Sequence, residues 1–375
     1  MTSKNIARLK NGRWRARYRD KSGKERARHF DRKVDGQRWL DEVTTAIVTG
    51  QYVDPTAGRV TFREYAEGWR DAQPHRKSSA ERVEVALRRQ AYPTFGDRQI
   101  ASIDSEEIQA WATRLWKVEG LAPATVRVVH GIVSGVFASA RRANKIATNP
   151  CADTKLPPKT TRKVMPMTLD QFDILRDALP DRYRALVTFA AGTGVRQGEA
   201  LGLTVDRIEF LRREVRIDRQ LQASPGEAPE FRDLKTETSS RSIPLPRVVV
   251  DALAAHLSEY SPGEAGLVFA DEQGKPLRRS KFGHIWRPAA DLAGLDTGTG
   301  LHACRHLYAS LLIEAGESVK VVQARLGHKN ATETLDTYGH LWPDSEEATR
   351  KAVDARLGVR NQSAKSPQAV ADSHQ

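Results

Sequence analysis

Tyr338 follows His328 by ten residues, and both lie downstream of His302-Ala303-Cys304-Arg305 and of Gly192-Thr193-Gly194-Val195-Arg196. These residue types suit attack on a phosphodiester by a tyrosine. A phenol with a pKa of about 10 is a weak nucleophile at neutral pH, so the reaction needs cations to hold the phosphate and groups to move protons. Arg196, Arg305, Lys235, His302 and His328 are of the types required.

The spacing indicates how they would be presented. His302 and Arg305 are three apart in a segment that runs on through Leu307, Leu311 and Leu312. Both are therefore expected on one face of a helix whose opposite side is buried. Arg196 is expected where a Gly-Thr-Gly turn meets a helix over Gln197 to Leu203, where backbone N–H groups and helix polarity favour an anion. Lys235, in Asp233-Leu234-Lys235-Thr236-Glu237, is expected at the tip between two strands, with a side chain long enough to swing onto a substrate. A zinc site from His302, Cys304, His306 and His328 fits poorly, because the first three share one helix and cannot all converge on one ion. A two-metal nuclease would need carboxylates, whereas these segments are dominated by cations.

The elements that must carry these groups can be followed along the chain. In residues 7–34, Trp14, Ala16 and Tyr18 alternate with Arg13, Arg15, Arg17 and Arg19, a period of two that puts aromatics on one face and guanidinium groups on the other. A turn at Asp20-Lys21-Ser22-Gly23 leads to a strand through Arg26, Arg28 and Phe30. A helix with Trp39, Val43 and Ile47 is expected to cover the aromatic face. The arginines are then left for a polyanion such as DNA, whose phosphates and guanine edges guanidinium groups can reach. Residues 62–147 read as four or five helices. Asp104 with Glu107 marks a helix start, and Val128, Ile132, Val136 and Ala140 form a stripe read as core. The prolines and cations from Asn149 to Lys163 read as an exposed strap. Beyond it, Tyr183 to Ala191 is expected to be helical and Ile208 to Ile217 a short hairpin. Strands near Phe231 and over Arg241 to Leu245 precede further helices to about residue 356, and a polar tail follows.

The 375 residues exceed one typical domain, and 60 Lys plus Arg against 47 Asp plus Glu give a net charge of +13. Residues 1–40 alone hold 14 Lys or Arg against 4 Asp or Glu, and this clustering with interleaved aromatics points to nucleic acid. Two distant cysteines, Cys151 and Cys304, argue against a disulfide scaffold and for a reducing cytoplasm. No apolar run approaches the ~20 residues of a bilayer span, so no membrane role is expected.

Taken jointly, the segments resemble the tyrosine recombinase family, phage-type integrases in particular. The resemblance rests on Gly192-Thr193-Gly194-Val195-Arg196-Gln197-Gly198-Glu199-Ala200-Leu201, Lys235-Thr236 with Ser242-Ile243-Pro244-Leu245, His302-Ala303-Cys304-Arg305-His306, Leu326-Gly327-His328 and Asp336-Thr337-Tyr338-Gly339-His340. It implies a multidomain α+β fold with an arm-type DNA-binding domain at 1–56, a small three-stranded sheet plus helix. A helical core-binding domain at 60–152, a linker at 153–164, a mainly α catalytic domain with a small antiparallel sheet at 165–358, and a disordered tail at 359–375 follow. It further implies that Tyr338 forms a 3′-phosphotyrosyl bond and frees a 5′-hydroxyl, with no metal or cofactor. Arg196 and Arg305 would bind the non-bridging oxygens, Lys235 would protonate the leaving oxygen, His302 would act as acid/base toward the tyrosine, and His328 would hydrogen-bond the phosphate. Arg13, Arg15, Arg17, Arg19, Arg26 and Arg28 would bind DNA. The implied partners are double-stranded attachment sites, further copies in a homotetramer on synapsed DNA, a host DNA-bending protein and an excisionase; the implied setting is the bacterial cytoplasm, at the nucleoid. A type IB topoisomerase and a non-catalytic DNA-binding regulator remain as alternative readings.

Overall fold

The computed structural model describes residues 5–20, 23–49, 56–159, 163–223, 227–234, 239–342 and 346–363. The chain divides into two compact units, Met1–Thr161 and Arg162–Gln375.

The first unit begins with an antiparallel sheet of β1 (Ile6–Arg8), β2 (Trp14–Arg19) and β3 (Glu25–Phe30), followed by α1 (Lys33–Val48). Alternation along β2 buries Ala16 and Tyr18 with Leu40 of α1, while Phe30, Trp39, Val43 and Ile47 pack around them. Gly36 lets the helix approach closely, since a Cβ there would stand 3.2 Å from the Phe30 ring. The register sorts the arginines between the two faces. Arg26 pairs with Tyr18 and Arg28 with Ala16, so these two arginines lie on the aromatic face, whereas Arg15, Arg17 and Arg19 lie on the other. Arg28 stacks on the Phe30 ring at 5.5 Å, and Arg26 holds Asp20 at 3.3 Å.

The rest of this unit is helical: α2 (Phe62–Asp71), α3 (Lys77–Ala86), α4 (Tyr92–Phe95), α5 (Ser105–Lys117) and α6 (Pro123–Arg142). Asp104 and Glu107 close a reciprocal cap at the start of α5. The core stripe of α6 is rotated from the expected one. Val126, Val129, Val133, Val136, Phe137 and Ala140 are buried, and Val128 and Ile132 lie at its flank. The segment after α6 is also less exposed than expected. Cys151 and Pro157 are buried, Asn149 donates to Ser134 O, and the Lys155 N–H donates to Gln109 Oε1 at 2.8 Å. The strap thus begins by packing on the helices, and residues 160–162 lie outside the described residues.

The second unit contains α7 (Leu169–Ala178), α8 (Asp181–Thr193), α9 (Gln197–Leu201), five short strands, then α10 (Arg247–Glu259), α11 (Arg279–Leu292), α12 (His302–Glu314), α13 (Val319–Leu326), α14 (Ala331–Tyr338) and α15 (Glu346–Ser363). The apolar α8 is buried on nearly all sides, including Leu186, Val187, Phe189 and Ala190. α10 and α12 pack against it. The strands β4 (Ile208–Glu209), β5 (Glu214–Ile217) and β8 (Arg241–Pro244) form one sheet, and β6 (Arg219–Gln222) pairs with β7 (Glu230–Asp233) in a second. Among the described residues the expected small antiparallel sheet is thus divided into two. The strands on either side of this position, β7 and β8, belong to different sheets, and Lys235, expected between two strands, lies outside the described residues. α15 continues to Ser363, past the expected start of the tail at 359, and residues 364–375 lie outside the described residues.

Candidate active site

Arg196 caps α9. Its backbone N–H donates to Glu199 Oε2 at 2.9 Å, its guanidinium donates to Glu199 Oε1 at 3.1 Å, and a second guanidinium nitrogen donates to Gly327 O at 3.2 Å. The turn before it depends on Gly194, which terminates α8 in the left-handed conformation with φ 64°. A Cβ at Gly194 would stand 2.3 Å from Tyr308 Cδ1, so close packing and backbone geometry both select glycine.

Glu199 is buried and joins two arginines, accepting from Arg241 at 2.9 Å as well as from Arg196. Burial alone would raise its pKa, but the charges and hydrogen bonds of Arg241 and Arg196 outweigh it and hold the carboxyl below its ordinary value. Arg241 also donates to Arg325 O and Ser239 O, both at 2.9 Å. A single guanidinium thus ties the start of β8 to α9 and to the end of α13.

Arg305 is only 2% exposed, and its Nη1 donates to Gly194 O at 2.6 Å. The sequence places it on a polar helix face; the structure instead turns it inward against the α8 terminus. Burial, and then the neighbouring charges of Arg196 and Arg241, bring its pKa down to about 10, with Glu199 acting in the opposite sense. Positive charge is in excess here. A buried guanidinium facing two others and one carboxylate is an electrostatic arrangement that an anion would complete.

Tyr338 is the last residue of α14 and is 1% exposed. Burial raises its hydroxyl pKa to about 12, although Arg305 pulls the other way. Its Oη lies 2.9 Å from His306 Nδ1, and the His328 ring lies nearly parallel to its own at 6.4 Å. His328 is fixed by a 2.7 Å hydrogen bond between Nδ1 and Thr334 Oγ1, a buried residue one turn before Tyr338. His302 opens α12 with an exposed outer edge, while its inner edge meets His306 edge-to-face at 4.7 Å. Burial of that inner side, reinforced by His306 and Arg305, lowers the His302 pKa to about 4. Burial and Arg305 lower that of His328 to about 4 as well. Both imidazoles are neutral at pH 7.

Five of the six residues singled out in the sequence are therefore described, and they gather around the ends of α8, α12, α13 and α14. Arg241 and His306 were given no part in the reaction. Nothing in the local pattern marks Arg241, but His306 stands four residues after His302, the spacing of one helix face. His306, rather than His302, touches the tyrosine hydroxyl. Cys304 points into the core and is fully buried, away from the histidines. Among the described residues no three His, Cys, Asp or Glu side chains are grouped to hold a metal ion.

Three family models match in the order of the elements above. They are "Phage integrase, N-terminal domain" over residues 5–49, "Phage integrase central domain" over 62–156 and "Phage integrase family" over 163–344. The chain belongs to the phage integrase family. It is a site-specific tyrosine recombinase. A protein of Mycobacterium tuberculosis assigned as the integrase of prophage phiRv2 is 26% identical over 345 residues, covering 88% of this chain and 89% of the relative. The tyrosine recombinase XerC-like protein of Caldanaerobacter subterraneus is 28% identical over 273 residues, covering 65% and 69%. Among solved structures, the Tn1549 transposon integrase in complex with a circular intermediate DNA has a TM-score of 0.68 at 22% identity, covering 79% of this chain and 99% of that one. The lambda integrase tetramer bound to a Holliday junction has a TM-score of 0.61 at 19% identity, covering 88% and 97%. These structural likenesses bear on the fold.

Proposed function

We propose that this recombinase integrates a phage or other mobile element into a chromosome, and excises it with a helper, by cleaving double-stranded attachment DNA through a 3′-phosphotyrosyl bond at Tyr338. The observation that carries the reading is the surplus of guanidinium charge, with Arg305 buried and Arg196 half-buried, beside a tyrosine at a helix end. Tyr338 attacks phosphorus, and Arg196 and Arg305 meet the charge that grows on the non-bridging oxygens. His328, neutral and with its ring beside that of the tyrosine, supplies a hydrogen bond to the phosphate, and His302, neutral and one turn before His306, serves as the acid/base on the tyrosine side. Lys235 serves as the donor to the departing 5′ oxygen. The energy of the broken ester is kept in the phosphotyrosine, so the rejoining step needs no nucleotide.

The arginine face of the N-terminal sheet, with Arg13, Arg15, Arg17 and Arg19, is proposed to bind arm DNA. Arg26 and Arg28 are left a lesser part by their place on the aromatic face. The domain boundaries proposed are 1–56, 60–152 and 165–358. The active assembly is a homotetramer on synapsed DNA, which the tetramer formed by lambda integrase on a Holliday junction supports. The proposed setting is the bacterial cytoplasm at the nucleoid, with a DNA-bending protein and an excisionase as helpers.

A two-plasmid assay tests this reading, with one plasmid carrying each attachment site from the ends of the element. Wild type should join the plasmids, and Tyr338→Phe should not. A variant lacking residues 1–56 should lose joining while still cleaving a core site. Relaxation of supercoiled DNA by wild type without any joined product would favour the topoisomerase reading.

A further inference from the structure

We propose that His306 is a catalytic residue of this site: it takes the proton of the Tyr338 hydroxyl as the phenolic oxygen attacks phosphorus, and returns it when the phosphotyrosyl bond is broken. The inference rests on the tyrosine-nucleophile reading above and moves the proton-accepting role from His302 to His306, the histidine in contact with the hydroxyl.

Geometry selects His306 from the three histidines of the site. Its Nδ1 is 2.9 Å from Tyr338 Oη, within the 2.6–3.2 Å reach a general base requires. His328 presents its ring nearly parallel to the phenol, with an interplanar angle of 11°, so its in-plane nitrogens run alongside the phenol ring. Its Nδ1 is already engaged by Thr334. His302 meets His306 and not the tyrosine. Glu333, the nearby carboxylate of α14, stands 3.8 Å from His328 Nε2 with half its side chain exposed. The groups facing His306 are thus His302 and Arg305 from its own helix and Tyr338 from α14, with His328 beyond the phenol. Burial, followed by the charge of Arg305, lowers the His306 pKa, which keeps the ring neutral and leaves Nδ1 a lone pair in the Nε2–H tautomer.

The step balances. The Oη–P bond forms and the P–O5′ bond breaks. The Tyr338 proton passes to His306 Nδ1, giving an imidazolium, and the departing O5′ takes a different proton from Lys235. Negative charge on the phosphorane grows as the imidazolium forms, so the two charges compensate. Rejoining runs the same transfers backward, and His306 ends neutral.

The test uses the full chain as wild type, His306→Asn and His306→Ala on a nicked core-site duplex, with either the natural 5′ oxygen or a bridging 5′ sulfur at the cleaved bond. Asparagine keeps a polar group near the hydroxyl but cannot take its proton. A 5′ thiolate leaves without protonation, so this substrate removes the need for an acid and leaves the need for a base. Both variants should bind the duplex as wild type does, which reports folding. Each should form the covalent adduct about 10²-fold or more slowly, and the sulfur substrate should not restore the rate. Added imidazole should raise the rate of His306→Ala. Cleavage by His306→Asn within a few-fold of wild type would reduce His306 to a tether and overturn the proposal. Restoration of both variants by the sulfur substrate would also overturn it, by placing His306 on the leaving-group side. Failure of the underlying reading looks different: wild type itself would form no adduct.

Discussion

Arg305 is where function and stability pull apart most clearly. A guanidinium buried to 2% exposure, beside two other arginines and one carboxylate, is unfavourable in the DNA-free protein, and its lowered pKa expresses that cost. Arg305→Met fills similar space without charge. It should melt no lower than wild type in the absence of DNA, yet form the covalent adduct about 10² to 10³-fold more slowly, as for loss of one oxyanion donor. Thermal melts paired with single-turnover cleavage check this, and a large fall in melting temperature with cleavage intact would contradict it. His328 carries a pH prediction. Its pKa is about 4 folded and about 6.5 when free, so the unfolded chain binds more protons between those values. Its share of stability is complete above pH 6.5 and is lost as pH falls toward 4. Melting temperature should therefore decline over that window in wild type and decline less steeply in His328→Gln; identical slopes would refute the assignment. Residue types and spacing made Arg196, His302, Arg305, His328 and Tyr338 legible in the sequence, because each stands in a segment with a clear helical or turn pattern. The wiring between them was not legible. Glu199 and Arg241 are 42 residues apart and meet only in the fold, and which of three histidines touches Tyr338 depends on how α12 rotates against α14.

At the scale of elements, patterns of period and capping were sufficient where one neighbour decides the outcome. The Asp104–Glu107 cap sets the start of α5 by itself, and the alternation of β2 sorts aromatic from arginine faces against one helix. Expectation failed where several neighbours compete. The buried stripe of α6 is set by the helices around it, so Val129 and Val133 replace Val128 and Ile132 as core. Likewise the proline-rich segment after α6 was read as exposed from composition, but its backbone finds partners on Gln109 and its Asn149 side chain on Ser134. Strand pairing carries a prediction of its own. Arg17 lies on the outer face and Arg28 on the face of Ala16, so Arg17→Ala should weaken arm-DNA binding and reduce the salt slope of log K by about 0.9, as for one phosphate contact. Arg28→Ala should leave that slope unchanged. Titration at several salt concentrations separates them, and the reverse ranking would show that the DNA sits on the other face.

For the whole molecule, the charge excess and the order of the segments allowed three functional regions to be read from the sequence, and the three family matches follow that order. The sequence did not reveal that Tyr338 is enclosed. The tyrosine is 1% exposed, and burial raises its hydroxyl pKa to about 12, so the phenol is protonated at neutral pH and must give up its proton as it attacks. The most direct test of the central claim is to incubate wild type and Tyr338→Phe, without divalent metal, with nicked and labelled duplex carrying the element's attachment core, and to resolve the products by denaturing electrophoresis. The account predicts a covalent protein–DNA adduct for wild type, attached through the 3′ phosphate, and none for Tyr338→Phe despite equal binding. An adduct of equal yield from Tyr338→Phe, or tight binding by wild type with no adduct at all, would contradict it.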